Sequence, residues 1–95
     1  MSLIKKVVFI AKDDSINELK SLLETMIEAS RAEEGCELYN IYQIKDKLNT
    51  FVVIESWESE EALKGHQNSS HYMYYKSNYE QYTADKYSNE LVSLG

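Results

Sequence analysis

The hydrophobic positions of this chain fall into blocks whose period changes from one block to the next, and the blocks predict six elements. Residues 3–11, LIKKVVFIA, are dominated by β-branched and aromatic side chains and predict a strand. Asp13-Asp14 ends the run. Ser15 and Glu18 then form the S-x-x-E signature of a capping box. Ile16, Leu19, Leu23, Met26, Ile27 and Ser30 follow at helical spacing, which predicts a helix with one core-facing stripe. Gly35 is the expected terminator, because glycine takes a left-handed backbone conformation without a Cβ clash. Residues 36–45, CELYNIYQIK, predict a second strand, 46–49 a polar turn, and 50–57, TFVVIESW, a third strand paired with the second as a hairpin. Ser59 is placed to cap a helix over 59–83, with Glu60 and Glu61 favoured in its first turn and Asn68-Ser69-Ser70 as its weak point. Residues 89–94, NELVSL, predict a short final strand.

Strand, helix, strand, strand, helix, strand is the βαββαβ order of an α+β, ferredoxin-like sheet with both helices on one face. The strand pattern adds a second expectation. In the third strand Phe51, Val53, Glu55 and Trp57 point one way and Thr50, Val52, Ile54 and Ser56 the other. In the second, Leu38, Asn40, Tyr42 and Ile44 oppose Tyr39, Ile41 and Gln43. Large apolar groups stand on both faces, where a sheet wetted on one side shows polar alternation. Helices cover one face only, so a second copy of the chain is expected on the other, as a homodimer.

Composition narrows the function classes. The 95 residues fit a single domain over 1–95. Sixteen acids against ten Lys and Arg give a net charge of −6, which opposes a nucleic-acid backbone or an anionic membrane surface, so neither is expected as a partner. The first residues lack the pattern of a signal peptide, and no stretch approaches a membrane helix, which together point to the cytoplasm. A single cysteine, Cys36, excludes an internal disulfide and a thiolate metal cage. Eight tyrosines, six of them between Tyr72 and Tyr87, fit a helix packed on a sheet or the wall of a pocket for a flat molecule.

Two motifs carry a family resemblance. Ser30-Arg31-Ala32-Glu33-Glu34-Gly35, followed by Tyr39, resembles the S-R-x-E-x-G-x-x-x-Y stretch of the antibiotic biosynthesis monooxygenase family. Phe51, Glu55, Trp57, Ser59, Leu63, His66, Ser69 and His71 resemble the stretch in which that family carries F, E, W, S, L, H, S and H in the same order. The likeness covers about residues 4 to 80; the final strand and the absence of proline depart from it. It implies a dimeric α/β barrel in which two sheets meet face to face. It also implies a small organic substrate, with known activities that include oxygenation of quinols and phenols without metal or flavin, haem degradation and isomerisation of small metabolites. The haem-degrading branch relies on an Asn in the first strand and on a Trp and a His further on. Here the first strand has no Asn, and His66 and Lys76 stand where that Trp and His would align, so haem degradation is not expected.

The resemblance sets out a chemistry for the candidate residues. Ground-state oxygen reacts poorly with closed-shell molecules, so a cofactor-free oxygenase needs a substrate that becomes an electron-rich anion, such as a phenolate. The protein must then supply a base and exclude water. His66 is the candidate base, set against the competing reading of a half-buried histidine bonded to structure. Trp57, Tyr72, Tyr39 and Phe51 are candidate walls for a quinone-like or other small aromatic substrate, or simply core. Glu55 is a candidate for proton transfer, or a paired acid satisfied by Arg31 or a backbone amide. His71 lies five residues after His66, about 140° around a continuous helix, so the two are expected to diverge. That spacing also argues against a two-histidine metal site, which wants i and i+4. His71 would join the pocket only if the helix breaks near Ser69. Arg31 and Glu33 are expected to form a local ion pair or a dimer contact. No metal or other cofactor is expected. The rival functions are an isomerase or lyase acting without oxygen, and a non-catalytic dimeric ligand-binding module whose pocket is small or filled.

Overall fold

In the computed structural model, which describes residues 2–95, the first strand β1 (Leu3–Ala11) forms at its predicted bounds and lies inside a four-stranded antiparallel sheet. The spatial order is β2 (Cys36–Ile44), β3 (Lys47–Trp57), β1, β4 (Thr83–Leu91), the ferredoxin-like arrangement. Met1 lies outside the described residues. Strand registers fix the faces: Val7 pairs with Val53 and Phe9 with Phe51, and these side chains lie under the helices.

The first helical segment breaks in two. α1 (Ile16–Glu24) buries Leu19, Leu22 and Leu23, and α2 (Ile27–Arg31) buries Ser30, with the buried Met26 between them. At the break the Thr25 Oγ1 hydroxyl donates to the Leu22 carbonyl at 2.6 Å, the Thr25 N–H is shared between the Ser21 and Leu22 carbonyls, and the Met26 N–H reaches back only three residues, to Leu23. A threonine that bonds its own helix backbone bends the helix. The capping box does not form: the Ser15 hydroxyl donates to Asp14 Oδ1 and accepts no backbone N–H of the helix. Gly35 does take a left-handed conformation (φ +83°), in the turn that leads from α2 into β2.

The second helical segment also divides, at the predicted weak point, into α3 (Glu60–Gln67) and α4 (Ser70–Asn78). Both have serine caps. Ser59 Oγ accepts from the Ala62 N–H at 3.1 Å, and Ser69 Oγ accepts from the Tyr72 N–H at 3.2 Å. A short 3₁₀ turn (Glu80–Tyr82) leads into β4.

Two expectations are corrected. β3 begins at Lys47, so the hairpin turn is shorter than the predicted 46–49; a register shift between Gln43 and Ile44 absorbs the extra residues. β4 begins at Thr83, six residues before the predicted strand. Its sequence, TADKYSNEL, is mostly polar because it is a mostly exposed edge strand, held to β1 by main-chain pairing.

The sheet face away from the helices carries Val8, Val52 and Ile54 at its centre, with Leu38, Tyr42, Tyr87 and Leu91 toward its edges. Those last four are between 38% and 54% exposed in the single chain. No helix among the described residues is long and apolar enough to cross a membrane.

Candidate functional site

The site grows from the break between α3 and α4. Asn68 and Ser69 leave helical geometry, and the Ser69 hydroxyl donates to the His66 carbonyl at 2.6 Å. The chain therefore changes direction between His66 and His71. The two imidazoles converge, with ring centroids 5.8 Å apart, where a continuous helix would have separated them. Both face Glu33, in the turn after α2. His66 Nδ1 lies 2.6 Å and His71 Nε2 3.0 Å from the same carboxylate oxygen, Oε2. A carboxylate only accepts, so both ring nitrogens carry the proton in these bonds. The other ring nitrogen of His66, Nε2, makes no hydrogen bond among the described residues.

His66 is 2% exposed and is gripped by aromatic rings. Trp57 lies against one side, with ring centroids 4.4 Å apart, and Tyr72 approaches edge-on at 5.1 Å. The Trp57 indole N–H donates to Glu55 Oε1 at 2.9 Å. Glu55 is thus partnered by Trp57; Arg31, the partner considered from sequence, is engaged elsewhere. Its Nε donates to the Tyr39 carbonyl and its Nη2 to Asn40 Oδ1, both at 2.9 Å, tying α2 to β2. The expected local pair of Arg31 with Glu33 does not form.

Between sheet and helices lies a cavity of about 60 Å³. Its floor includes Val7, Phe9, Tyr39, Val53 and Glu55; His66, Tyr72 and Tyr75 come from the helices, and Lys5 of β1 and Lys86 and Ser88 of β4 add polar groups. Of the residues singled out from sequence, His66, Tyr72, Tyr39 and Glu55 meet here. Trp57 and Phe51 are not in the wall: they are 0% and 2% exposed and belong to the core, Trp57 backing the His66 ring. His71 stands behind His66, on the Glu33 side. Burial drives the Tyr39 and Tyr75 hydroxyls well above the usual tyrosine range, Glu55 adding to the effect at Tyr39 and Tyr72 at Tyr75, so both remain protonated.

Two functional groups escaped the sequence reading. Glu33 stands in its motif, where sequence pairs it with Arg31 or gives it to a dimer contact, because nothing local reveals a partner thirty-three positions away. Lys86 sits on the part of β4 that sequence left unassigned. Its ammonium lies 4.8 Å from the Tyr79 ring centre and 5.7 Å from those of Phe9 and Tyr75. Burial lowers its pKa, with Lys76 and Lys5 adding to the effect.

This fold, with a histidine and a carboxylate beside an aromatic cavity, defines a class of small α+β proteins. The sequence profile described as antibiotic biosynthesis monooxygenase matches residues 3–76, and the chain belongs to that family. The chain is 36% identical over 69 residues to "Putative monooxygenase Rv0793" of Mycobacterium tuberculosis, a match covering 73% of this chain and 67% of that protein. It is 34% identical over 61 residues to "Putative monooxygenase YcnE" of Bacillus subtilis, covering 64% of each chain. Among solved structures, PA3566 from Pseudomonas aeruginosa superposes with a TM-score of 0.94 at 26% identity, covering 99% of this chain and 95% of that one. Rv0793 superposes with a TM-score of 0.93 at 28% identity, covering 100% and 97%.

Proposed function

We propose that this protein is a cofactor-independent monooxygenase of a quinol-like or phenolic small molecule, with His66 as the base. One observation carries the reading: a buried imidazole is held at Nδ1 by a carboxylate and lines an aromatic cavity, with no bond to its other nitrogen among the described residues. The substrate hydroxyl gives its proton to Nε2, and Glu33 stabilises the imidazolium that forms. Lys86 offers positive charge beside the resulting phenolate. The phenolate passes an electron to oxygen; one oxygen atom then enters the ring carbon and the other leaves as water with the two hydrogens lost from the substrate. The enclosed wall excludes bulk water from the anion.

The cavity volume favours a second reading in one respect. About 60 Å³ holds a few waters, whereas pockets for drug-sized ligands span roughly 300–1,000 Å³. A single ring therefore needs the cavity to widen, and Tyr72, a partly exposed wall residue, is the side chain proposed to move. A non-catalytic module would keep that tyrosine in place. The uncovered apolar sheet face supports the further proposal that a second copy packs there as a homodimer, in a barrel of two sheets.

Oxygen uptake with a panel of hydroquinones separates these readings. Turnover is expected with at least one member and should fall by about 10²–10⁴-fold in His66→Ala. Turnover unchanged in the variant would remove His66 from the role. Turnover that persists without oxygen would establish an isomerase or lyase instead, and no turnover or binding across the panel would favour the module.

A further inference from the structure

Three donor atoms from separate parts of the chain meet at one point: His66 Nδ1 at the end of α3, His71 Nε2 at the start of α4, and Glu33 Oε2 in the turn before β2. All lie within 4.8 Å of one another. In this arrangement they form a hydrogen-bonded triad. The same atoms also meet the requirements of a metal site. We propose that Glu33, His66 and His71 bind one divalent transition-metal ion of the zinc, cobalt, nickel or copper kind, with water completing the coordination sphere.

Two imidazoles and one carboxylate suit those ions better than magnesium or calcium, which prefer oxygen ligands throughout. Tetrahedral metal–ligand bonds of roughly 2.0–2.2 Å put neighbouring ligand atoms about 3.3–3.6 Å apart. The present separations of 2.6 and 3.0 Å from Glu33 Oε2 therefore need to open, by up to about 1 Å at the shorter one. Glu33 can supply that movement, because it stands in a turn outside helix and strand. Both imidazoles can present a lone pair while remaining neutral, by carrying the proton on the opposite ring nitrogen. The supporting contacts are already in place. Trp57 and Tyr72 hold the His66 ring, while the 3.2 Å contact of Ser69 Oγ with His71 Nε2 gives way when the metal takes that nitrogen's lone pair.

Access and field point the same way. Glu33 and His71 are 17% and 19% exposed, so an ion can reach the triad from outside without passing through the aromatic cavity. Glu33 also lines a surface depression whose wall includes Glu34, Glu58 and Glu61 and no lysine or arginine. In a chain of net charge −6 that depression concentrates cations at the triad.

An ion on Nδ1 leaves the His66 proton on Nε2, the atom that the proposed reaction needs as a base. Metal binding and oxygenation therefore exclude each other, and the ion acts as an inhibitor. This consequence rests on the proposed function, whereas the binding itself does not.

Direct binding is the test. The full-length protein is titrated with Zn²⁺ against a chromophoric chelator and, separately, with Co²⁺ while the visible d–d bands are followed. One ion per protomer with micromolar affinity or better is expected, together with a Co²⁺ spectrum. Affinity should fall at least about tenfold in both His71→Ala and Glu33→Gln. Near-UV circular dichroism checks that each variant is folded, and His71→Ala removes only a partly exposed side chain. The absence of saturable binding, or binding unaltered in two folded variants, overturns the site. If the wild type binds metal but no oxygenation is ever found, the site stands and the inhibitory role falls.

Discussion

At the scale of single residues, position in space decides roles that residue type leaves open. Trp57 and Phe51 were legible as large aromatics on one strand face, but nothing in the sequence separates a cavity wall from the core behind it. Trp57 supports the His66 ring from 4.4 Å away, and replacing it removes that support along with core packing. Trp57→Ala is expected to cost about 3–5 kcal/mol in urea unfolding, a loss dominated by the cavity it leaves. Gly35 was legible for its backbone freedom, yet its tighter constraint lies across the chain. A Cβ built there would stand 2.5 Å from the Ala62 Cβ, at φ +83°. Gly35→Ala therefore meets a left-handed penalty of about 1–2 kcal/mol plus a steric clash with α3. Its urea midpoint should fall by more than the left-handed term alone explains, and an unchanged midpoint would mean that the turn relaxes freely. Glu33 was in view but wrongly partnered, since its bonds to His66 and His71 span 33 and 38 positions.

At the scale of elements, the decisive feature is the interruption between α3 and α4. Asn68-Ser69-Ser70 reads as a weak point, and His71 can join the pocket only if the helix breaks there. The helix does break, yet His71 faces Glu33 and does not line the cavity. Ser69 holds both sides of the break. Its hydroxyl donates to the His66 carbonyl and accepts from the Tyr72 N–H. Ser69→Ala should lower stability by about 1 kcal/mol, as for other helix caps. Because Ser69 also sets the angle between the two histidines, the variant should shift the His66 and His71 imidazole resonances together in NMR spectra. A shift confined to His71 would show that the break holds without the serine. β4 was placed six residues too late for the opposite reason. An edge strand that buries few side chains carries little hydrophobic signal, and Lys86, which lies on it, escaped with it.

At the scale of the whole molecule, the βαββαβ order and the double-faced sheet were both legible, because six alternating blocks admit few topologies. The cavity was not, since its small volume depends on how the tyrosines of α4 settle on the sheet. Those tyrosines also set a pH limit. Tyr39 and Tyr75 have folded pKa values raised above the unfolded value of roughly 10, so their contribution is complete below that pH. It is lost as pH rises beyond it, where the unfolded chain ionises and the buried phenols do not. The melting temperature should drop between mildly alkaline pH and about pH 11, and drop less in Tyr75→Phe. The proposed dimer is tested at the same scale. Ile54→Lys places a charge at the centre of the open sheet face, and light scattering should then report single chains where the wild type gives pairs. A wild type that is monomeric at micromolar concentration would leave that face wet and remove the barrel.

In the proposed reaction a base inside an aromatic cavity lets oxygen attack a small phenolic substrate with no cofactor between them. Turnover under ¹⁸O₂, with the product analysed by mass spectrometry, follows that oxygen. One labelled oxygen atom is expected in each product molecule. Product that is unlabelled, or labelled only from ¹⁸O water by a route other than exchange, would contradict it.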